Sequence, residues 1–279
     1  MEIKLKHTLL LALPLALLMA ACGESKKPEQ PAVNKAPAPE PVPMMDFTLV
    51  RTLPHDETAF TEGLLFDDGK LLESTGAPDY LPQARSALGV VDTATGKLQI
   101  KAELDKRIYF GEGMVVLNGK IFQVTYQNQQ GFVYDAKTYK QIATFNYPNK
   151  EGWGLTTDGT YIIMSDGTYN LTYIDPVSYQ VVKTVAVTES GFATELINEL
   201  EYINGFIYAN LWTKNMLVKI DPKDGTVKGK IDLSSLYNKE RGGNINLLEM
   251  NGIAWDKKTD RILVTGKFWK NFYQISFPH

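Results

Sequence analysis

The chain has 279 residues, 44% of them hydrophobic, with 29 basic and 32 acidic side chains and a formal net charge of −3. No basic stripe or block of like charge occurs, which argues against nucleic acid as a partner. Cys22 is the only cysteine, so the sequence excludes an intrachain disulfide, a zinc–thiolate cluster and a cysteine nucleophile in the folded part.

The first residues have the pattern of an export signal. Lys4 and Lys6 precede a short apolar stretch, Thr8 to Ala20, which is too short to span a bilayer comfortably. It ends in LMAACG, which resembles the lipobox of bacterial lipoproteins, although Met19 stands where Leu is more usual. We therefore expect export with a lipid on Cys22; the alternative is an ordinary signal peptide with an incidental cysteine.

Three regions are predicted: a lipoprotein signal peptide over 1–21, a tether over 22–45 and a folded domain over 46–279. The tether is rich in Pro, Ala, Lys and Glu, which favours an extended, polyproline-like chain that cannot bury a core. It would hold the domain at the cell envelope, on its periplasmic or outer-membrane face. Gly23 stands after Cys22 where an Asp often retains lipoproteins at the inner membrane.

Tight turns recur through the folded part at intervals of about 40–50 residues. Asn-Gly and Asp-Gly dipeptides supply the positive φ angles of short hairpins. They lie at Asp68-Gly69, Asn118-Gly119, Asp158-Gly159 and Asn204-Gly205, with Asp256 to Asp260 in the fifth place. A second series of turns begins at Asp92, Asp135, Asp175 and Asp221. Each repeat therefore reads as four strands.

The fifth repeat stops after three strands, the last of which ends at Phe277. The segment Phe47 to Leu53, at the other end of the domain, can supply the missing strand and close the ring. The sequence thus predicts an all-β, five-bladed β-propeller with four-stranded blades, in which the N-terminal strand closes the last blade. The one helical turn expected lies near Asp232 to Lys239.

Unusual residues collect where the inner strands begin. In YFGEG, Glu112 stands between Gly111 and Gly113, which would permit uncommon backbone conformations or close approach of a substrate. An isolated motif of this kind would more often be a β-bulge with a solvated Glu. Related stretches open the other repeats: FTEG at 60–63, EGWG at 151–154, NELE at 198–201 and MNG at 250–252.

The pattern predicts an aromatic-lined pocket for a small, polar, cationic or amide-bearing group. The only histidines are His7, His55 and His279, which argues against a Ser-His-Asp triad and against a His-based zinc site. A general acid or base would then be a carboxylate or Lys267.

Ordered motifs across nearly all of 47–277 resemble the plant and bacterial type of glutaminyl cyclase (glutaminyl-peptide cyclotransferase). They are FTEGL, YFGEG, MSDG, NELE, NGIAWD and VTGK. The resemblance implies a five-bladed propeller that converts N-terminal glutamine to pyroglutamate and releases ammonia, by metal-independent chemistry.

The resemblance also implies roles for particular residues. It makes Glu112 the acid/base, with Asn198 and Lys267 completing the catalytic set by binding polar groups of the substrate. The substrate-binding residues that it implies are Phe60, Glu62, Phe110, Tyr126, Trp153 and Trp212. Two of these depart from the family pattern, which has Gln in place of Glu62 and Trp in place of Tyr126, and both departures bear on substrate and rate.

Two alternatives stay open. One is a non-catalytic, lipid-anchored propeller that binds peptides without turnover, and the other is a divalent-metal-dependent propeller lactonase or lyase. We expect no cofactor to be required and no metal among the site residues, although a structural calcium on the axis remains compatible with the sequence. The expected partners are peptides or proteins with N-terminal Gln and, through the lipid, a membrane. We expect a monomer.

Overall fold

The computed structural model describes residues 41–242 and 247–279. Cys22, the predicted signal peptide and most of the predicted tether lie outside the described residues. The described chain forms five four-stranded antiparallel sheets, which are the five blades of a β-propeller.

The blades follow one another along the chain. Blade 1 contains β2 (Thr61–Asp67), β3 (Lys70–Thr75), β4 (Ala87–Val91) and β5 (Leu98–Glu103). Blade 2 contains β6 (Gly111–Leu117), β7 (Lys120–Thr125), β8 (Gln130–Asp135) and β9 (Gln141–Asn146). Blade 3 contains β10 (Leu155–Thr157), β11 (Ile162–Ser165), β12 (Asn170–Ile174) and β13 (Val181–Ala186). Blade 4 contains β16 (Ile197–Ile203), β17 (Phe206–Leu211), β18 (Met216–Ile220) and β19 (Val227–Asp232). Blade 5 contains β20 (Met250–Asp256), β21 (Arg261–Gly266), β22 (Asn271–Ser276) and β1 (Thr48–Pro54).

The N-terminal strand closes the ring as predicted, because β1 pairs antiparallel with β22. His55 follows β1 and fastens this closure from within. Its Nδ1 donates to the carbonyl of Trp269 (2.8 Å), and its Nε2 lies 2.9 Å from the carboxylate of Glu73 in blade 1. Both side chains of the His55–Glu73 pair are fully buried.

The predicted turns explain how each blade folds. Positive φ at both central residues occurs at Asp68-Gly69, Asn118-Gly119 and Asn204-Gly205. Asp158-Gly159 differs, since Gly159 alone has positive φ and the turn is longer. In the second series the last residue of each turn has positive φ and donates its N–H to the carbonyl of the leading Asp, as Gly96 does to Asp92 (2.7 Å).

Burial falls from the axis outwards. The inner strands β2 and β6 are almost wholly buried, whereas the outer strands β1 and β13 are mostly exposed. The core consists of apolar side chains packed between adjacent blades, as where Leu72 and Ile121 share one cluster. The inner strands are therefore held rigidly, as a site built on them requires.

Two elements lie outside the blades: the hairpin β14 (Thr188–Glu189) with β15 (Phe192–Ala193), and helix α1 (Ser234–Arg241). The helix lies where the sequence predicts a helical turn. Its buried Glu240 accepts hydrogen bonds from the Tyr273 hydroxyl (2.7 Å) and the Asn271 amide, which ties the helix to blade 5. Within the described residues no helix is long and apolar enough to cross a membrane.

The chain meets the propeller slightly before residue 46. The N–H of Met45 donates to the carbonyl of Lys230 (2.7 Å), and the N–H of Lys230 donates to the carbonyl of Pro43 (3.0 Å). Part of the segment that the sequence assigns to the tether thus lies against β19.

Candidate active site

Four of the five inner strands carry a β-bulge near their first residues, and the distinctive polar side chains occupy these bulges. The pairing register shifts between Thr61 and Gly63, between Gly111 and Met114, between Ile197 and Leu200, and between Met250 and Ile253. The residues inside these shifts include Glu62, Glu112, Asn198 and Asn251. A bulge turns side chains out of the regular alternation. The simpler interpretation of the motif is thus right about the bulge but wrong about a solvated Glu, because Glu112 is only 5% exposed.

The glycines beside these residues serve the packing of the axis. A Cβ on Gly113 would lie 2.4 Å from the carbonyl oxygen of Trp153, and one on Gly154 would lie 2.3 Å from that of Asn198. The expectation that Gly111 and Gly113 allow uncommon backbone angles was wrong, because neither has positive φ. What approaches Gly113 closely is the inner strand of the next blade rather than a substrate.

A cavity of about 800 Å³ opens at the end of the propeller where the inner strands begin. The structure brings all nine predicted catalytic and substrate-binding residues into its wall: Phe60, Glu62, Phe110, Glu112, Tyr126, Trp153, Asn198, Trp212 and Lys267. The volume lies in the usual range for small-molecule sites.

The carboxyl groups of Glu62 and Glu112 and the ammonium of Lys267 form the centre of this cavity. Lys267 Nζ lies 2.9 Å from Oε1 of Glu62 and 3.3 Å from Oε1 of Glu249. The other oxygen of Glu62 accepts from Nδ2 of Asn251 (2.9 Å). Glu62 and Glu112 are both buried and interact with each other, which favours a proton on one of the two carboxyl groups.

Burial and the neighbouring charges favour a proton on Glu112 over one on Glu62. Burial raises the pKa of Glu112 well above its ordinary value, and the neighbouring Glu62 charge is the second largest cause. Burial raises the pKa of Glu62 to about 7, against the opposing effect of the Lys267 ammonium. Burial alone would lower the pKa of Lys267, but Glu62 and Glu249 outweigh it and leave the pKa raised. These directions leave the negative charge of the pair on Glu62, next to the cationic Lys267.

Aromatic rings enclose this centre. Phe60 packs edge-to-face on Phe110 (5.7 Å between centroids), and Lys267 Nζ lies 4.5 Å from the centroid of Phe60. A Cβ on Gly76 would lie 2.1 Å from the Phe110 ring, so a glycine is needed beside that ring. Trp153 and Trp212 meet at 5.6 Å with an interplanar angle of 78°.

Each of the two indoles is hydrogen-bonded to a carboxylate for which the sequence predicted no role. Glu151 accepts from Nε1 of Trp153 (2.9 Å), and Glu249 accepts from Nε1 of Trp212 (2.7 Å). Burial works to raise the pKa of Glu249, but Lys267 and the indole N–H hold it below its usual value. The only sequence signal for Glu151 was its place in EGWG, and Glu249 had none beyond its position just before MNG.

Asn198 contributes an unsatisfied acceptor. Its side chain is buried in the cavity wall, and its Oδ1 makes no hydrogen bond. A buried amide oxygen without a donor is unfavourable, and a ligand N–H would satisfy it. By contrast, the carboxylate of Glu199 accepts from the N–H groups of Leu64 (3.2 Å) and Ile253 (2.8 Å), and Glu201 accepts from that of Trp255 (2.8 Å). Glu199 and Glu201 therefore satisfy backbone amides of other blades.

Among residues 41–242 and 247–279, no group of three or more His, Cys, Asp and Glu side chains is arranged to hold a metal ion. An axial calcium bound through backbone carbonyls stays an open expectation of the sequence.

The closed ring and the carboxyl-bearing, aromatic-lined cavity at one end define the class as a propeller enzyme that acts on a small polar group. A family model described as glutamine cyclotransferase matches residues 15–277. A curated glutaminyl-peptide cyclotransferase of Arabidopsis thaliana is 39% identical over 232 residues, which cover 82% of this chain and 71% of the relative. The crystal structure of Myxococcus xanthus glutaminyl cyclase superposes with a TM-score of 0.77 at 33% identity, covering 85% of this chain and 98% of that one.

The chain therefore belongs to the glutamine cyclotransferase family, and its activity is the cyclisation of N-terminal glutamine to pyroglutamate. The resemblance and the five-bladed fold predicted from the sequence are confirmed. The comparisons do not favour the binding module or the metal-dependent lactonase.

Proposed function

We propose that Glu112 is the proton shuttle of this cyclisation and that Glu62, Lys267 and Asn198 arrange the reacting groups around it. The observation that carries the proposal is the pair of buried carboxyl groups in one cavity wall, Glu112 and Glu62, beside the Lys267 ammonium. A carboxyl group that is kept neutral near neutrality can donate a proton, and the carboxylate left behind can accept one.

The reaction needs both transfers. The neutral α-amine attacks Cδ of its own γ-carboxamide, and a C–N bond forms while the bond from Cδ to the amide nitrogen breaks. Glu112 gives its proton to the departing –NH₂, which leaves as ammonia. The attacking nitrogen loses one proton, which returns to Glu112. One carboxyl group thus serves both nitrogens and ends as it began.

Lys267 and Asn198 have complementary tasks in this proposal. As Cδ becomes tetrahedral, negative charge develops on the carboxamide oxygen, and the cationic Lys267 is placed to stabilise it. The free Oδ1 of Asn198 would accept an N–H of the substrate, which orients the glutamine and satisfies that buried oxygen.

The aromatic wall supplies the remaining requirement. The glutamine side chain must fold back on its own amine, and a close-fitting apolar enclosure of Phe60, Phe110, Trp153 and Trp212 favours that compact shape. The same rings limit water near the reacting carbon, which strengthens the electrostatic effect of Lys267.

Ammonia release from an N-terminal Gln peptide, with Glu112→Gln beside the parent, tests the proposal. We expect the variant to lose at least about 100-fold in kcat, because the carboxamide cannot exchange the proton. Glu240→Gln is the matched control, since Glu240 is also buried but binds helix α1 to blade 5 outside the cavity. A Glu112→Gln variant with near-parental kcat and an unchanged melting temperature would overturn the role of Glu112.

Two other outcomes would reopen the alternatives. Calorimetric binding of the peptide without ammonia release would support a binding module, and loss of activity on chelation would support metal-dependent chemistry.

We further propose that the protein is a monomer, lipid-anchored through Cys22 to the cell envelope, and that it acts there on exported peptides. The support is the lipobox-like sequence before Cys22 and the Pro-rich segment after it. Metabolic labelling with a fatty acid, with Cys22→Ser as the control, tests the anchor.

A further inference from the structure

The cavity extends well beyond the reacting centre, and it does so on one side. Blade 1 contributes Ala77, Asp79 and Tyr80 to the wall. The connection from blade 1 to blade 2 contributes Lys106 to Phe110. Gln127 and Asn128 continue this wall on blade 2. On the blade 5 side, the described lining beyond Lys267 consists of Leu248 and Glu249 only. A volume of about 800 Å³ is also more than one glutamine residue needs.

Two large apolar side chains stand on this extended wall. Tyr80 is 70% exposed and Ile108 is 58% exposed, although both line the cavity. Exposed apolar groups beside a functional cavity are favourable places for a ligand to bury surface. Their continuity with the centre that takes the glutamine means that a peptide bound there would pass over them.

The loops that carry these side chains are held in place. Nζ of Lys106 donates to the carbonyls of Pro82 (2.6 Å) and Ala84 (3.1 Å), which ties the Tyr80 loop to the Ile108 loop. Nδ2 of Asn128 donates to the carbonyl of Ile108 (3.0 Å), which ties that loop to blade 2. A ligand bound here therefore has little chain ordering to bring about.

The charges on this wall are largely engaged with the protein. Arg107 is paired with Asp105 (2.6 Å), and Lys106 is directed at the two carbonyls of the neighbouring loop. Asp79 is the remaining charged residue of this part of the wall. The arrangement favours an apolar over a strongly charged occupant.

We propose that Tyr80 and Ile108 form a specificity subsite for an apolar side chain in the peptide segment directly after the N-terminal glutamine. The inference rests on the proposed function, because it places the glutamine at the Glu112 centre. The substrates would then be peptides in which glutamine is followed by an aromatic or large aliphatic residue at the second or third position.

Steady-state kinetics on matched peptides test the subsite. Gln-Gly-Gly, Gln-Phe-Gly and Gln-Gly-Phe would be compared for the parent, Tyr80→Ala and Ile108→Ala. We expect the parent to prefer one of the Phe peptides by about 5- to 20-fold in kcat/KM, mainly through a lower KM, as for an apolar group in a partly open pocket. In each alanine variant, the ratio of kcat/KM for the preferred Phe peptide to that for Gln-Gly-Gly should fall towards one.

Two exposed apolar residues outside the cavity provide matched controls, Phe192 for Tyr80 and Val177 for Ile108. Phe192→Ala and Val177→Ala should keep the parental ratio. Lys106→Met, which removes the link between the two loops, should lower the ratio while both side chains remain.

The outcomes separate this inference from the proposed function. Ammonia release from all three peptides at equal efficiency, or a preference that survives both alanine variants, overturns the subsite and leaves the chemistry at Glu112 standing. Absence of release from every peptide by a well-folded parent overturns the proposed function and the subsite with it.

Discussion

The indole N–H of Trp212 donates to Oε1 of Glu249 at 2.7 Å, and the same oxygen lies 3.3 Å from Nζ of Lys267. One carboxylate thus contacts both a ring of the cavity wall and Lys267, the cation that we propose stabilises the developing charge. Glu249 is a positioning residue in this arrangement, because it acts through its two neighbours.

We expect Glu249→Ala to raise KM about 3- to 10-fold for a Gln peptide, because Trp212 loses its anchor. Glu249→Gln keeps an oxygen acceptor for the indole and should retain most of the parental KM. A double variant that combines Glu249→Ala with Trp212→Phe distinguishes a positioning role from a merely structural one. If Glu249 acts through Trp212, the effects of the two substitutions will not add; additive effects would contradict the assignment.

The pH dependence should report Glu62. Its pKa of about 7 means that, as the pH falls through 7, the Glu62 carboxylate that pairs with Lys267 beside Glu112 is lost. We therefore expect kcat/KM of the parent to fall below pH 7 more steeply than that of Glu62→Gln, which has no such titration. The ratio of variant to parent should rise as the pH falls.

Taking the ratio of the two profiles removes the contribution of the substrate's own α-amine, which titrates near pH 8 in both. A ratio that is constant from pH 5.5 to 8.5 would show that ionisation of Glu62 does not limit the reaction.

Stability should decline as the pH rises from acid towards about 8 because of Glu201. Burial raises the pKa of this carboxyl group to about 8, so the folded chain holds a proton that the unfolded chain releases near pH 4.5. The free energy of unfolding should therefore decrease as the pH rises from about 4.5 to about 8. Glu201→Gln, which keeps an acceptor for the Trp255 N–H, should flatten this decrease.

Thermal melting at pH 5 and pH 8 measures the effect, at roughly 2–4 °C for each kcal/mol in a domain of this size. Glu62, Glu112 and Glu199 also have raised pKa values and remain in the variant, so only part of the decrease should disappear. Equal slopes for the parent and Glu201→Gln would contradict the prediction.

The buried pair of His55 and Glu73 should matter for closure of the ring. His55→Ala leaves the Glu73 carboxylate buried with only the Thr61 hydroxyl as a donor (2.7 Å), and we expect a loss of about 3–5 kcal/mol of unfolding free energy. Urea denaturation checks the loss. Adding Glu73→Gln should restore part of it, because a carboxamide is neutral; no recovery would indicate that packing against Phe272 dominates (4.3 Å between ring centroids).

The five-bladed ring was predictable because its determinants are local and repeated. The Asn-Gly and Asp-Gly turns and the Asp-initiated turns impose backbone angles that depend on a few neighbouring residues. The complementarity of β1 and β22 followed from counting strands, since a ring without edges needs both termini in one blade. Residues such as Glu62 and Glu112 could be assigned to one mouth for the same reason, because equivalent positions of a repeat meet at the axis.

The tertiary structure alone decided how these residues interact. Spacing in the sequence does not show that Glu62 pairs with Lys267 and interacts with Glu112, because the three come from three different blades. Nor does it show that Glu249 holds Trp212, or that a glycine beside Glu112 serves the next inner strand. Turn geometry is a property of a few adjacent residues, whereas the protonation of a buried carboxyl group depends on distances and burial that exist only once the blades have closed.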